Sequence, residues 1–246
     1  MKVLVLGGTS EAREIAAALA ELPRFAAVSS LAGRVRDPRV PEGEVRIGGF
    51  GGPEGLAAWL RERGTDVLVD ATHPFAQRMT NSAVEAARAA GVRLLVLRRP
   101  GWTEEEGDDW RWVSSLPAAA DALRDMGPRR VLLTTGRQEV AAFADLDEHH
   151  FVLRCVDPPD PPVPPRREVL LDRGPFTVDG ERQLLRSRGL DVVVTKNSGG
   201  PMTAAKLRAA RQLGLPVVVV RRPEPPAAPL VETPREAVAW LQAHAG

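Results

Sequence analysis

No tyrosine occurs in the chain. That absence removes the Tyr-Lys acid–base pair on which short-chain dehydrogenases and sugar epimerases commonly rely, although their opening glycine turn resembles the one found here. Cysteine occurs once, at Cys155, which excludes an intramolecular disulfide or a multi-cysteine metal site and makes the cytoplasm the expected compartment. No stretch approaches the roughly 20 apolar residues of a membrane helix; the N-terminal run "VLVL" soon meets charge, so neither export nor membrane insertion is expected. An excess of one charge sign is also missing. With 33 Lys plus Arg against 32 Asp plus Glu, a general nucleic-acid surface is not expected, while local basic clusters can still meet an acidic ligand. His149, His150 and His244 stand in polar or terminal stretches without a zinc-like arrangement, so they are read as solvent-exposed and no metal is expected.

What the sequence does contain is alternation. Apolar runs at 3–6, 67–69, 94–97, 131–133, 192–194 and 217–220 lack polar alternation, as parallel strands covered on both faces do. Alanine-rich helical patterns at 11–21, 53–63, 76–90, 116–126, 201–213 and 234–244 lie between them, with shorter strands at 26–30, 44–47, 111–113 and 151–154. The class is α/β. "DPPDPPVPPRR", 157 to 167, can be neither central strand nor helix. The acidic "TEEEGDD", 103 to 109, reads as a hinge, giving domains over 1–102 and 103–246, with the helix at 234–244 free to pack on either.

A repeat supports two similar lobes. Residues 79–100 align without gaps on 202–223, sharing Met-Thr at the start and Arg-Arg-Pro at the end. "KVLVLGGTSE" likewise resembles "RVLLTTGRQE" at 130–139. The expected architecture is two Rossmann-like lobes with parallel sheets and a ligand cleft between them, the ligand lying outside the carboxyl ends of the strands.

The first lobe is patterned for a dinucleotide. In "GGTSEA", Gly7, Gly8, Thr9, Ser10 and Glu11 join a buried strand to a helix, a corner whose unpaired N–H groups suit a phosphate. A tight turn with Ser10 as N-cap explains the same letters structurally. After the second strand, Ser30 and Arg34 stand where an NAD-binding fold normally places an acidic residue on the ribose, and an arginine there suits the 2′-phosphate of NADPH. "DATHPFAQ" brings Thr72, His73 and Pro74 to a third strand end, where the nicotinamide ribose could pass; His73 can equally be a helix-entry residue.

The second lobe is patterned for carboxylates. Lys196, Asn197, Ser198, Gly199 and Gly200 form an anion-competent nest, and Thr135 and Arg137 lie at another strand end. These loops suit a phosphate; polycarboxylates fit them as well, because Arg137, Arg154 and Lys196 can pair with several carboxylates, or Arg154 can sit in a surface ion pair.

The chain resembles the precorrin-6A reductase family of cobalamin biosynthesis in "LGGTSEAR" (6–13), "SLAGR" (30–34), "DATHPFA" (70–76), "RRPGW" (98–102), "LLTTGR" (132–137), "RGPF" (173–176) and "VTKNSGG" (194–200). The resemblance spans nearly the whole chain. It implies a cytoplasmic oxidoreductase that uses NADPH to saturate one carbon–carbon double bond of a ring-contracted tetrapyrrole fringed with acetate and propionate, in a metal-free or cobalt-containing form. His73, Lys196 or water can deliver the accompanying proton, and spacing chooses none of them. Two other readings stay open: a non-catalytic NADP-binding redox sensor, and a two-lobed tetrapyrrole synthase or lyase.

Overall fold

A computed structural model describes residues 1–33 and 39–245, so the expectation for Arg34 lies outside the described residues. The chain divides into two units, Met1–Pro100 with Pro223–Gly246, and Gly101–Arg222. The first begins with β1 (Lys2–Leu6), α1 (Ser10–Ala20), β2 (Ala26–Leu31), β3 (Glu44–Ile47), α2 (Pro53–Arg63), β4 (Val67–Asp70), α3 (Gln77–Ala90) and β5 (Arg93–Leu97). The second holds β6 (Trp110–Val113), α4 (Leu116–Arg124), β7 (Arg130–Leu133), β8 (His150–Cys155), β9 (Arg167–Leu171), α5 (Val178–Ser187), β10 (Val192–Lys196), α6 (Ala205–Leu213) and β11 (Val217–Val220). β12 (Leu230–Val231) and α7 (Pro234–Ala243) then return to the first.

Each unit carries one parallel sheet, ordered β12-β5-β4-β1-β2-β3 and β6-β11-β10-β7-β8-β9. Valine and leucine dominate the central strands because both faces are covered. Along β1, Val3 and Val5 pack with Ile15, Leu19 and Leu241 of α1 and α7, whereas Leu4 and Leu6 pack with Leu56 and Leu60 of α2 and Ala83 of α3. In the second unit Leu132, Val152 and Val193 meet Leu185 and Leu207 of α5 and α6.

The two orders match when β1–β5 are laid on β7–β11, except that a short 3-10 turn at Val140–Phe143 stands where α1 would be. The sixth strand of each half is exchanged: β6 pairs with β11, and β12 with β5. The repeated Arg-Arg-Pro falls at this exchange. Arg98 donates its N–H to Val231 O and Arg221 donates to Val113 O, each at 2.8 Å, just where the chain leaves one sheet for the other.

The domain boundaries therefore differ from expectation. The first crossing falls after Pro100, and the stretch from Pro223 through β12 belongs to the first unit; α7, left free to pack on either, packs on α1. The acidic stretch is no hinge: Arg211 of α6 binds Asp108 at 2.9 Å and Glu105 at 2.7 Å, which fixes it within the second unit. α5, β9 and β12 carry no expectation above. Of the histidines read as exposed, His149 is fully buried with Nδ1 accepting from Arg129 N at 3.1 Å, and His244 stacks on Trp240 at 3.9 Å. Both rings find apolar neighbours that their polar sequence contexts hide.

Candidate functional site

In the first unit, β1 ends at a corner built by Gly7, Gly8 and Thr9. Gly7 N–H donates to Ser30 O at 2.9 Å, holding the corner against β2 and turning the Ser30 carbonyl inward. Thr9, not Ser10, is the N-cap of α1: its Oγ1 accepts from Ala12 N at 3.1 Å and donates to Ala71 O at 2.7 Å. A threonine that caps the helix and also ties it to the end of β4 does two jobs that Ser10, one residue on, cannot reach. Ser10 Oγ instead donates to Glu11 Oε2 at 3.1 Å, and Glu11 pairs with Arg99 at 2.9 Å in a shielded salt bridge. Glu11 is thus neutralised within the corner.

The first N–H groups of a helix have no intrahelical acceptor. Thr9 satisfies that of Ala12, which leaves the amides ahead of it, at the positive end of the α1 dipole, for an anion. Gly8 sits at φ 112°, and a Cβ built on it meets nothing within 4 Å. The space above the turn is open to a ligand that approaches the backbone, which fits the pyrophosphate of a dinucleotide.

β4 ends in Asp70, which is buried. Its Oδ1 accepts from Thr72 N at 3.1 Å and Thr72 Oγ1 at 2.6 Å, and its Oδ2 accepts from Thr80 Oγ1 at 2.6 Å. This carboxylate locks the loop carrying Thr72, His73 and Pro74 onto the first turn of α3. His73 Nδ1 accepts from Phe75 N at 3.3 Å, so a neutral ring carries its proton on Nε2. Beside the loop lies a pocket of about 230 Å³, lined by Thr72, His73, Gln77, Thr80, Asn81, Arg98 and Glu224 among others. Partial burial pushes the Arg98 guanidinium down from its ordinary value, and Glu224 opposes that shift. Gln77, Asn81, Arg98 and Glu224 escaped the sequence reading. The one signal for Asp70 and Thr80 was their place in or beside repeated motifs.

In the second unit the expected residues separate. Lys196 Nζ donates to both carboxylate oxygens of Glu139 at 2.9 Å. Thr135 is buried, and its Oγ1 has no hydrogen-bond partner among the described residues. Arg137 lies 3.7 Å from the exposed Asp160. Gly199 and Gly200 both adopt left-handed φ, at 67° and 75°, after Ser198, whose N–H donates to Lys196 O at 2.7 Å. The Asn197 side chain is consumed in clamping Trp102: Oδ1 accepts from Trp102 N at 2.7 Å and Nδ2 donates to Trp102 O at 3.1 Å. The clamp needs Gly101, since a Cβ there would fall 2.9 Å from Asn197 Nδ2.

Arg154 does not join Lys196. On β8 it shares the face of Val152, which packs against α5 and α6; on β10, Lys196 points away from the face of Val193, which joins that same core. Arg154 forms a buried ion pair with Glu181 of α5, and its guanidinium lies 4.0 Å from the Phe176 ring centroid. The surface ion pair considered from sequence is therefore a buried one. Neighbouring Lys206 is also buried, with Nζ donating to Thr203 O at 2.7 Å and resting 4.6 Å from the Trp102 ring centroid. Burial, with Arg154 adding to it and Glu181 opposing, lowers the Lys206 pKa to about 7.

A family model described as "Precorrin-6x reductase CbiJ/CobK" matches residues 2–242. Similar curated proteins include "Precorrin-6A reductase" of Rhodococcus erythropolis, 54% identical over 98% of this chain and 97% of that one. "Precorrin-6A reductase" of Mycobacterium tuberculosis (strain ATCC 25618 / H37Rv) is 48% identical, again over 98% and 97%. "Cobalt-precorrin-6A reductase" of Salmonella typhimurium is 31% identical over 91% of this chain and 88% of that one. Among solved structures, "CobK precorrin-6A reductase" is similar with a TM-score of 0.92 and 45% identity, covering 99% of this chain and 97% of its own.

Proposed function

The chain belongs to the precorrin-6x reductase family, and on that premise we propose that it uses NADPH to reduce one carbon–carbon double bond of precorrin-6A, giving precorrin-6B in cobalamin biosynthesis. The observation that carries the cofactor half is the open corner at Gly8, at the carboxyl end of a central parallel strand and the N-terminus of α1. Family membership also sets aside the sensor and the synthase or lyase readings. Identities of 54% and 48% to precorrin-6A reductases, against 31% and 29% to cobalt-precorrin-6A reductases, support the metal-free substrate. No helix among the described residues is long and apolar enough to cross a membrane; the proposed location is the cytoplasm.

When bound, the reduced nicotinamide supplies a hydride to the conjugated macrocycle. The corner amides of Gly8, Thr9, Ser10 and Glu11 would receive the pyrophosphate, with Arg99 pairing the Glu11 carboxylate. The loop of Thr72, His73 and Pro74, fixed by Asp70, would border the nicotinamide ribose, and Gln77 and Asn81 offer amide groups in the adjoining pocket. His73 can hold a proton at Nε2. Positioning dominates such a reaction, because holding donor and acceptor at near-contact distance is worth ~7–11 kcal/mol of barrier. In the second unit, Thr135, Arg137, Lys196 and the Ser198-Gly199-Gly200 turn are the proposed grip on substrate carboxylates, Lys196 exchanging its Glu139 partner for a substrate one.

Each half has its own test. Arg34→Ala is expected to weaken NADPH binding by about 10-fold, a cost typical of losing a charge-assisted contact, and to leave NADH binding unchanged. Equal losses in a fluorescence titration of both cofactors would take Arg34 off the 2′-phosphate. Lys196→Ala is expected to raise the KM for precorrin-6A by roughly 10-fold with the NADPH Kd unchanged; an unaltered KM rejects the carboxylate grip.

A further inference from the structure

Each half of this chain serves as a control for the other. The ladders equate Lys2 opposite Ala26 with Arg130 opposite His150, and so Ser30 with Arg154. Gly64 after α2 and Gly189 after α5, at φ 60° and 56°, donate their N–H groups to Arg61 O and Arg186 O, which equates Leu56 with Glu181. Gly91 and Gly214 cap α3 and α6, which equates Ala83 with Lys206. In the first unit Leu56 and Ala83 are fully buried in one hydrophobic cluster. In the second, the same places hold a carboxylate and an ammonium, with a guanidinium for Ser30.

A fold that closes one of its halves with leucine and alanine has no structural need of three buried charges in the other. Taking ions out of water costs several kcal/mol each, and well-packed apolar residues commonly replace such groups without loss of stability. Glu181 Oε2 is even left without a hydrogen-bond partner among the described residues. What the charges do touch is two half-buried aromatic rings. Arg154 underlies Phe176, and Lys206 underlies Trp102. The rings are pinned as well: Trp102 Nε1–H donates to Gly200 O at 2.9 Å, and Phe176 N–H donates to Met202 O at 3.2 Å. Thr203 O, the acceptor of Lys206, belongs to the same turn. Trp102 closes the motif "RRPGW" and Phe176 closes "RGPF", and nothing in the carboxylate grip uses either.

We propose that Arg154, Glu181 and Lys206 are a positioning triad that seats Trp102 and Phe176 as a stacking platform for the conjugated face of the tetrapyrrole. The proposal rests on the reading that the second unit receives the macrocycle. A cation against one face of an aromatic ring draws electron density toward itself and leaves the ring a better partner for an electron-rich pyrrole system. Glu181 offsets the repulsion between Arg154 and Lys206 in its protonated form.

The test rewrites the second unit in the letters of the first: Arg154→Ser, Glu181→Leu and Lys206→Ala together. The triple variant is expected to melt cooperatively and to bind NADPH as the wild type does, while the KM for precorrin-6A rises by about 30-fold or more and its quenching of tryptophan fluorescence falls. A KM within about 2-fold of wild type overturns the proposal. If the triple variant does not fold, Trp102→Leu and Phe176→Leu decide, since both leave the triad in place: loss of pigment affinity supports the platform, and unchanged affinity overturns it. Trp102→Phe should restore much of the binding that Trp102→Leu removes. Failure of the underlying reading looks different, because then the wild type itself neither binds precorrin-6A nor oxidises NADPH with it.

Discussion

Gly8→Val is expected to weaken NADPH binding by about 100-fold or more, equivalent to roughly 2.7 kcal/mol. Two effects combine. At φ 112° a β-branched residue is held in a region that L side chains rarely adopt, which strains the turn by about 1–3 kcal/mol. The new side chain also enters the open space over the corner amides, where the pyrophosphate is proposed to sit. Gly7→Ala separates the two glycines. Its Cβ would rest at ordinary contact distance, 3.4 Å from Ala12 Cβ and 3.6 Å from Leu31 Cδ2, so affinity should change by no more than about 3-fold. Isothermal titration calorimetry of both variants distinguishes a nucleotide corner from a mere turn: wild-type affinity in Gly8→Val leaves only the turn.

Lys206→Met is expected to stabilise the protein by roughly 2–4 kcal/mol at pH 7. Burial lowers the Lys206 pKa to about 7 in the folded chain, whereas an unfolded lysine titrates near 10.4. Well below the folded value both states carry the proton, and the folded state bears the full cost of burying it. Between the two values the unfolded state binds more protons, so wild-type stability rises with pH; above about 10.4 the penalty is gone. Methionine removes the penalty at every pH and gives up the bond to Thr203 O and the cation–π contact with Trp102, about 1 kcal/mol each. Urea unfolding at pH 7 and pH 10 should therefore show the variant's advantage shrinking as pH rises. A constant difference would mean that Lys206 does not titrate inside the fold. If the gain appears together with weaker precorrin-6A binding, the lysine is retained for its work on the ligand at a cost in stability.

The alternation of strands and helices was legible because central parallel strands, covered on both faces, are written in uninterrupted Val and Leu. α5 was not, and the reason is instructive. Its inward face carries Glu181 beside Leu185, and a segment whose only apolar residues are Val178, Leu184 and Leu185 reads as polar. β9 is an edge strand entered from a proline-rich loop, with exposed and half-buried residues alternating along REVLL, and β12 has only two residues; neither writes an uninterrupted apolar run. The Arg-Arg-Pro repeat was visible, but its meaning depended on where the following strands pair, which no local spacing encodes. The glycine corner and the Thr72-His73-Pro74 loop were legible as segments that follow strands, and they do follow β1 and β4. The pairing of Arg154 with Glu181 was hidden because its partner lies 27 residues away on another element. Thr9 and Ser10 are interchangeable as caps by residue type; only the second bond to Ala71 O chooses between them.

The proposed reaction passes a hydride from NADPH to the carbon skeleton of precorrin-6A. Anaerobic incubation of the purified protein with precorrin-6A and NADPH deuterated at nicotinamide C4 tests it most directly, with nicotinamide absorbance, pigment spectrum and product mass read together. One NADPH should be oxidised for each pigment converted, and deuterium from one C4 face should be retained on a product carbon. Pigment conversion without NADPH oxidation, or a reduced product whose new hydrogens all come from solvent, would contradict it.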